Sequence, residues 1–290
     1  MKLLVLGSTG QLAVALAERG EKLGHEVVRA GRPQLDLADP TGLGDLVGAV
    51  GPDAVINAAA YTAVDKAEDE IEQAIAINRE GAAAAARAAG ARGLPFLHVS
   101  TDYVFSGSKG SPYLEDDPVD PLNVYGRSKA EGEAAVLAAY PAALVVRTSW
   151  VYAPWGTNFV KTMLRLGAER DRLSVVCDQT ARPTEATALA EGLIALADRK
   201  RGGAPGGLLH LAGRGETSRH GLAEAALDGA GLSTPVDPVP TSAFPTRAVR
   251  PADTRLDLGR AEREYEVRLP DWRDSLARCL ARIAAGGREG

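Results

Sequence analysis

Cysteine is nearly absent: Cys177 and Cys279 are the only two in 290 residues. They lie far apart and in no metal-ligand spacing. That argues against a disulfide framework and a thiolate metal site, and the expected pair is two buried or half-buried free thiols in a reducing cytoplasm. The four histidines, His25, His98, His210 and His220, show no ligand spacing either. Structural roles are expected for them, with His98 a hydrogen-bonded residue of an apolar strand. No apolar run approaches the roughly 18 residues of a membrane-spanning helix. The N-terminal run Leu3–Leu6 is too short for the core of a signal segment and reads as a buried strand. No run of basic residues occurs, and the formal net charge is -5. Nucleic acid and anionic membrane are therefore not the expected partners.

What is present is an ordinary globular composition, 45% hydrophobic and 24% charged, with enough chain to bury a substantial core. Short apolar runs alternate with helical stretches. The strands expected are 2–6, 26–30, 54–58, 95–101 and 143–148. Between them fall helical patterns at 11–23, 43–50, 71–89 and 124–139. Four- to six-residue apolar strands separated by helices predict an α/β fold, a Rossmann-like doubly wound parallel sheet. After Ser149 the character changes. Strand-like 173–177 and 208–213 are separated by Pro/Gly-rich connections. Residues 1–149 are expected to form the domain built on this Rossmann-like sheet, with some later segments returning to it. Residues 150–290 form mainly a smaller, partly interleaved substrate-binding domain. The tail GGREG, 286–290, is expected to fray.

The stretch GSTGQLA, 7–13, follows the first strand and opens the first helix. Gly7 and Gly10 permit a tight turn and close approach of a ligand. The helix N-terminus then presents free N–H groups to a pyrophosphate. At the end of the second strand, where an acid would hold a ribose 2′-hydroxyl, the chain reads Val28-Arg29-Ala30-Gly31-Arg32 and has none. Either arginine suits a 2′-phosphate, or both are solvated surface residues. The reading leans to NADPH, with NADH also usable.

Tyr125 and Lys129 stand four apart at the start of a predicted helix, on one face. Of the seven tyrosines, only Tyr125 has a lysine at +4. A free phenol is a poor proton donor at neutral pH, and a nearby ammonium lowers its pKa. Upstream, Thr101 ends the strand PFLHVST. A hydroxyl at the carboxyl end of a parallel strand lies where such sheets bind ligands and can bond a carbonyl oxygen. Glycine turn, strand-end hydroxyl and Tyr-x-x-x-Lys together point to proton transfer beside a hydride donor.

These residues resemble the extended short-chain dehydrogenase/reductases, and within them the dTDP-4-dehydrorhamnose reductase family. The similarity runs through GSTGQL, NAAAYTAVDKAE, STDYVF, PLNVYGRSK, RTSWVYA, NFVKTML, DQTARPT, RPADTRL and LPDW. It implies that Tyr125 protonates the C4 oxygen of a 4-keto nucleotide-sugar. Lys129 would tune Tyr125 and hold the nicotinamide ribose. Thr101 would bond the substrate carbonyl, with Asp102 beside it on the sugar. Thr9, Gly10, Gln11 and Leu12 would lie at the pyrophosphate, Asp36 and Leu37 at the adenine, and Ala60, Tyr61 and Thr62 along the nicotinamide. Trp150 would pack on the sugar, and Arg250 would reach the nucleotide. Asp65 and Glu68, in DKAE, read as a solvated helix start capping the previous turn.

Some members of the family dimerise around a metal held by glutamates. Ala15 stands in the first helix where one of those acids would lie, and PTEATALAE, 183–191, places its acids differently. No metal ligand is assigned and Mg2+ is not expected, while a homodimer stays open. Two rivals remain: a nucleotide-sugar epimerase or dehydratase with retained NAD, and a non-catalytic NADP-binding regulatory subunit.

Overall fold

Apolar runs bounded by turn residues become the strands β1 (Lys2–Leu6), β2 (Glu26–Ala30), β3 (Ala54–Asn57), β4 (Phe96–Thr101) and β5 (Leu144–Thr148). The computed structural model describes residues 1–286, so the tail beyond Gly286 lies outside the described residues. With the later strand Gly207–His210, these five form one parallel sheet in the order Gly207–His210, β5, β4, β3, β1, β2. The chain leaves β1 for one neighbour and returns to the other side of it with β3. That reversal opens a crevice at the carboxyl ends of β1 and β3, where sheets of this kind bind ligands.

Side chains alternate between the two faces of a strand. Leu3 and Val5 enter one core with Leu16, Leu97, Val146, Leu189 and Leu193. Leu4 and Leu6 enter the other with Val47, Phe96, Val136 and Val145. Helices cover both faces, which is why these strands read as unbroken apolar runs. The helix Ala186–Arg201 lies against the first helix, Gln11–Lys22. Beyond Ser149 the chain also builds three two-stranded ladders and the helices Phe159–Glu169, Arg219–Gly229 and Trp272–Ala284. Tyr152, Leu222, Trp272 and Leu276 pack as a separate cluster there. Cys279 is buried among them, but Cys177, expected at least half-buried, is exposed. It follows the last residue of a short two-stranded ladder, where nothing covers it.

The expected continuous helix 71–89 is interrupted. Ile71–Ile75 and Ala82–Gly90 are α-helical, and Ala76–Gly81 between them is a π-helix. Buried Asn78 explains the insertion. Its Oδ1 accepts from Tyr61 N at 2.8 Å, and its Nδ2 donates to Tyr61 O at 3.1 Å and to Ser128 Oγ at 2.9 Å. Helix propensity gives no warning of such a bulge, which is typical of functional sites.

The helix Val124–Ala139 has the limits that the sequence predicts. Asn123 caps it, Oδ1 accepting from Gly126 N at 2.8 Å. Glu68 Oε1 accepts from Val124 N at 2.8 Å, so Glu68 closes this helix rather than the turn before it. Two glycines let the helix approach its neighbours. A Cβ on Gly126 would lie 2.2 Å from Tyr103 O, and one on Gly132 would lie 2.1 Å from Asn78 O. One turn past Lys129, buried Glu133 takes both arms of buried Arg147, at 2.9 and 2.7 Å, and the Ser100 hydroxyl. Arg147 belongs to β5, so the pair ties the helix to the sheet. Removing one partner of a buried pair leaves a charge uncompensated at a cost of about 3–5 kcal/mol. Glu133→Ala is therefore expected to lose about that much stability in denaturant unfolding, and a loss under about 1 kcal/mol would show the pair to be incidental.

Candidate active site

Four carboxyl-end segments of the sheet meet at one edge. The turn after β1 brings Gly7 to Gly10. Gly7 has φ of 122°, a left-handed conformation that suits glycine, and a Cβ there would touch Ala59 N and Ala13 at 3.4 Å. Ala13 fits because it is buried flush in the core. Gly10 caps the first helix and is exposed, with open space where a side chain would be. Thr9 is exposed beside it. Gln11 is turned toward the later part of the chain, its Oε1 accepting from Asn158 at 2.9 Å and its carbonyl from Trp155 Nε1 at 3.2 Å. The Leu12 side chain is in the core, so only its backbone is at the turn.

After β2, Arg29 lies over this turn, Nη1 donating to Ser8 O at 2.7 Å. Gly31 passes so close that a Cβ would meet Ser8 Oγ at 2.6 Å. Exposed Arg32 lines an open cleft of about 890 Å3 with Ala60, Tyr61, Thr62 and Lys66. Asp36 accepts from Ala38 N at 2.9 Å, and Leu37 is buried against Gly81. The edge from Gly10 to Thr62 thus carries free N–H groups and two arginines and lacks an acid after β2.

At β4, Thr101 Oγ1 accepts from Tyr103 N at 3.2 Å and donates to Asp102 Oδ1 at 3.1 Å. Asp102 is buried, and its other oxygen accepts from Ser149 Oγ at 2.9 Å and from Thr254 Oγ1. Burial raises the Asp102 pKa against these three hydroxyls. Its carboxylate ties together β4, β5 and the 250–256 loop, an anchoring role rather than the free sugar contact expected.

Tyr125 is half-buried beside Tyr103, ring centroids 5.9 Å apart and edge to face. Burial pushes its phenol above the ordinary value. A hydrogen bond with Thr101 opposes this, and the charges of Asp102 and Tyr103 add to it. The expected lowering by Lys129 is not found. The Lys129 Nζ is engaged with the sheet, donating to Val99 O at 2.7 Å and lying 3.2 Å from His98 Nε2. Burial brings Lys129 itself down to about 8, partly offset by Glu133. Its raised pKa favours the protonated phenol, with Thr101 beside it.

Trp150 follows β5 with φ of 44°. A residue missed in the sequence holds it: the Arg219 guanidinium stacks over its ring at 3.6 Å and over Phe159 at 5.2 Å. Burial lowers the Arg219 pKa, while Tyr103 and Asp102 support its charge. Arg219 opens a helix in a segment without recognisable motif, so no local signal marked it. Thr254 and Ser149, by contrast, lie inside two of the quoted motifs. Among the described residues no group of three or more His, Cys, Asp or Glu side chains is placed to hold a metal, and no helix is long and apolar enough to cross a membrane.

A glycine turn under an open helix N-terminus, with a strand-end Thr and a Tyr-x-x-x-Lys helix beside it, defines an NAD(P)-dependent short-chain dehydrogenase/reductase. Comparison with known proteins narrows the class. The family model for the RmlD substrate binding domain matches residues 1–285, and the chain belongs to this family. A dTDP-4-dehydrorhamnose reductase of Sinorhizobium fredii is 40% identical over 296 residues, covering 100% of both chains. The crystal structure of a dTDP-4-dehydrorhamnose reductase from Clostridium acetobutylicum superposes with a TM-score of 0.92 at 34% identity, over 98% of this chain and 100% of that one. A Bacillus anthracis reductase in complex with NADP gives 0.91 at 32% identity, over 97% and 98%.

Arg250, expected at the nucleotide, has its fork filled by Asp65 at 2.7 and 2.6 Å. That pair, with Ala248 N donating to the same carboxylate at 3.1 Å, ties the 247–250 loop to the short helix Val64–Ala67, so Asp65 is not merely solvated. The Arg250 hydrogen bond is the largest influence lowering Asp65, which falls from 3.8 to about 2. A depressed carboxylate stabilises the fold above its unfolded pKa and loses that contribution as pH falls through the folded one. Urea unfolding should therefore show wild type more stable than Arg250→Ala by a constant margin above pH 4. The margin should shrink between about 4 and about 2. A margin independent of pH across that window would count against the pair.

Proposed function

We propose that this chain reduces the C4 keto group of dTDP-4-dehydro-β-L-rhamnose to dTDP-β-L-rhamnose with hydride from NADPH. NADH serves as a second donor. The observation that carries the reading is the placement of Tyr125 beside Thr101, one helical turn from Lys129, at the carboxyl edge beside the glycine turn, where burial raises its pKa. Full-length similarity to named reductases, one of them in complex with NADP, supports the substrate and the cofactor.

In this reading bound NADPH would supply the hydride for C4 of the sugar. Tyr125 gives its proton to the developing alkoxide, and Thr101 bonds the same oxygen. Burial that keeps the phenol protonated suits it as an acid. Lys129 holds the nicotinamide ribose. The N–H groups at Gly10 and Gln11 would hold the pyrophosphate, and Arg29 with Arg32 would suit a 2′-phosphate, since arginine forks onto such groups. Residues beyond Ser149 form the substrate-gripping part, with Trp150 and Arg219 as its wall. Binding energy from the distant nucleotide would hold the ketone near the hydride. The same reading places the protein in the cytoplasm with its nucleotide-sugar, as a monomer or homodimer without a bridging metal.

NADPH oxidation with freshly made 4-keto sugar tests this. Tyr125→Phe is expected to lower kcat by about 10²–10⁴-fold while NADPH binding persists. An active wild type with an unimpaired Phe variant would remove Tyr125 from the acid role, and an inactive wild type that binds NADPH would sink the reductase reading. Arg219→Lys keeps charge but not the planar stack, so KM for the sugar should rise with the affinity for NADPH unchanged. Equal KM values would deny Arg219 a part in the substrate wall.

A further inference from the structure

Asn57 and His98 are register partners across β3 and β4, and both are fully buried. His98 Nδ1 lies 3.1 Å from Asn57 Nδ2, and His98 Nε2 lies 3.2 Å from Lys129 Nζ. Burial holds the ring far below its ordinary pKa, and Lys129 adds to this when it is charged, so the ring is neutral in either state of Lys129. A neutral imidazole has one N–H and one lone pair. Both of its neighbours cannot be donors at once.

Ala59 decides which one donates. Its backbone N–H donates to Asn57 Oδ1 at 3.2 Å, which assigns the amide oxygen to the Ala59 side and turns the NH2 toward His98. An NH2 can only donate. Nδ1 must then accept, and the ring proton sits on Nε2. That proton points at Lys129 Nζ, which can accept only as a free amine. The amine still donates to Val99 O at 2.7 Å.

We infer that Asn57 and His98 are positioning residues that set the protonation of Lys129 and couple it to the loop beginning at Ala59. In the arrangement described, Lys129 is an amine. When it gains a proton, the ammonium donates to Nε2, and the single ring proton must move to Nδ1. The Asn57 amide then turns over to present Oδ1, and Ala59 N–H loses its acceptor. One proton enters, and the imidazole keeps one throughout. The loop released is the one that leads into Ala60, Tyr61 and Thr62. The titratable groups facing this trio are Glu133, already held by Arg147 and Ser100, and Tyr125 on the same helix. Burial brings Lys129 down to about 8, which puts both arrangements within reach near neutral pH. The consequence for turnover rests on the reductase reading: Lys129, one turn from Tyr125, would set the alkaline limb of kcat.

Imidazole 15N labelling of the four histidines, read by NMR on the full-length wild type, tests the coupling directly. The signals of His98 should report Nε2–H at alkaline pH and Nδ1–H below neutrality, with the ring uncharged throughout. One tautomer across the whole titration would overturn the inference, and this readout needs no variant to fold. Asn57→Asp can only accept from the ring. It should lock Nδ1–H, hold Lys129 as ammonium, and move the alkaline limb of NADPH-dependent turnover up by at least about one pH unit. A folded variant with an unmoved limb would overturn the link to turnover. If the wild type binds NADPH but does not turn over, only the reductase reading fails, and the tautomer titration still decides the coupling.

Discussion

The rest of the site depends on how one polar helix is held against an apolar sheet. The helix Val124–Ala139 places Tyr125, Lys129 and Glu133 at successive turns of one face, and that face is directed inward. Lys129 and Glu133 are almost completely buried, where charged groups persist only if paired or neutralised. Each is met by a residue from a different strand: Lys129 by His98 on β4, Glu133 by Arg147 on β5. A helix with an apolar face could slide or rotate in a greasy groove. One held by directional contacts to two strands cannot, and the position of the phenol follows from that.

The same logic reaches outward from the helix. Asn78 links it, through Ser128, to the backbone of Tyr61. Glu68 closes its first turn, and Asn123 Nδ2 reaches Val249 O at 2.8 Å. Asp102 gathers hydroxyls from β4, β5 and the 250–256 loop. The Tyr61 segment, Tyr125 and the 250–256 loop therefore share one polar framework. Polar networks this buried are costly unless fully satisfied, and here they are satisfied largely by groups far apart in sequence.

Much of this was legible in the residues. The strand–helix alternation of the first 149 positions, the glycine turn and the limits of the helix at Val124 follow from period, propensity and capping, which are local. Other features were not. The π-helix at Ala76–Gly81 exists because Asn78 must reach Tyr61 and Ser128, and alanine-rich propensity says nothing of that. Arg219 enters the site only because its helix is folded onto Trp150. Its spacing makes Lys129 the expected tuner of Tyr125, yet its Nζ is engaged by His98 and the Val99 carbonyl on β4.

By itself the sequence determined the alternation that makes a doubly wound sheet, the turn that suits a dinucleotide, and the residue types of a proton-transferring reductase, since each depends on neighbours within a few positions. Only the tertiary structure decided the protonation of those groups and their partners. Arg250 on Asp65, Asp102 as an anchor and the raised Tyr125 pKa all arise from desolvation and contacts between distant segments. Those quantities are set by what folding packs around a side chain, not by what precedes it in the chain.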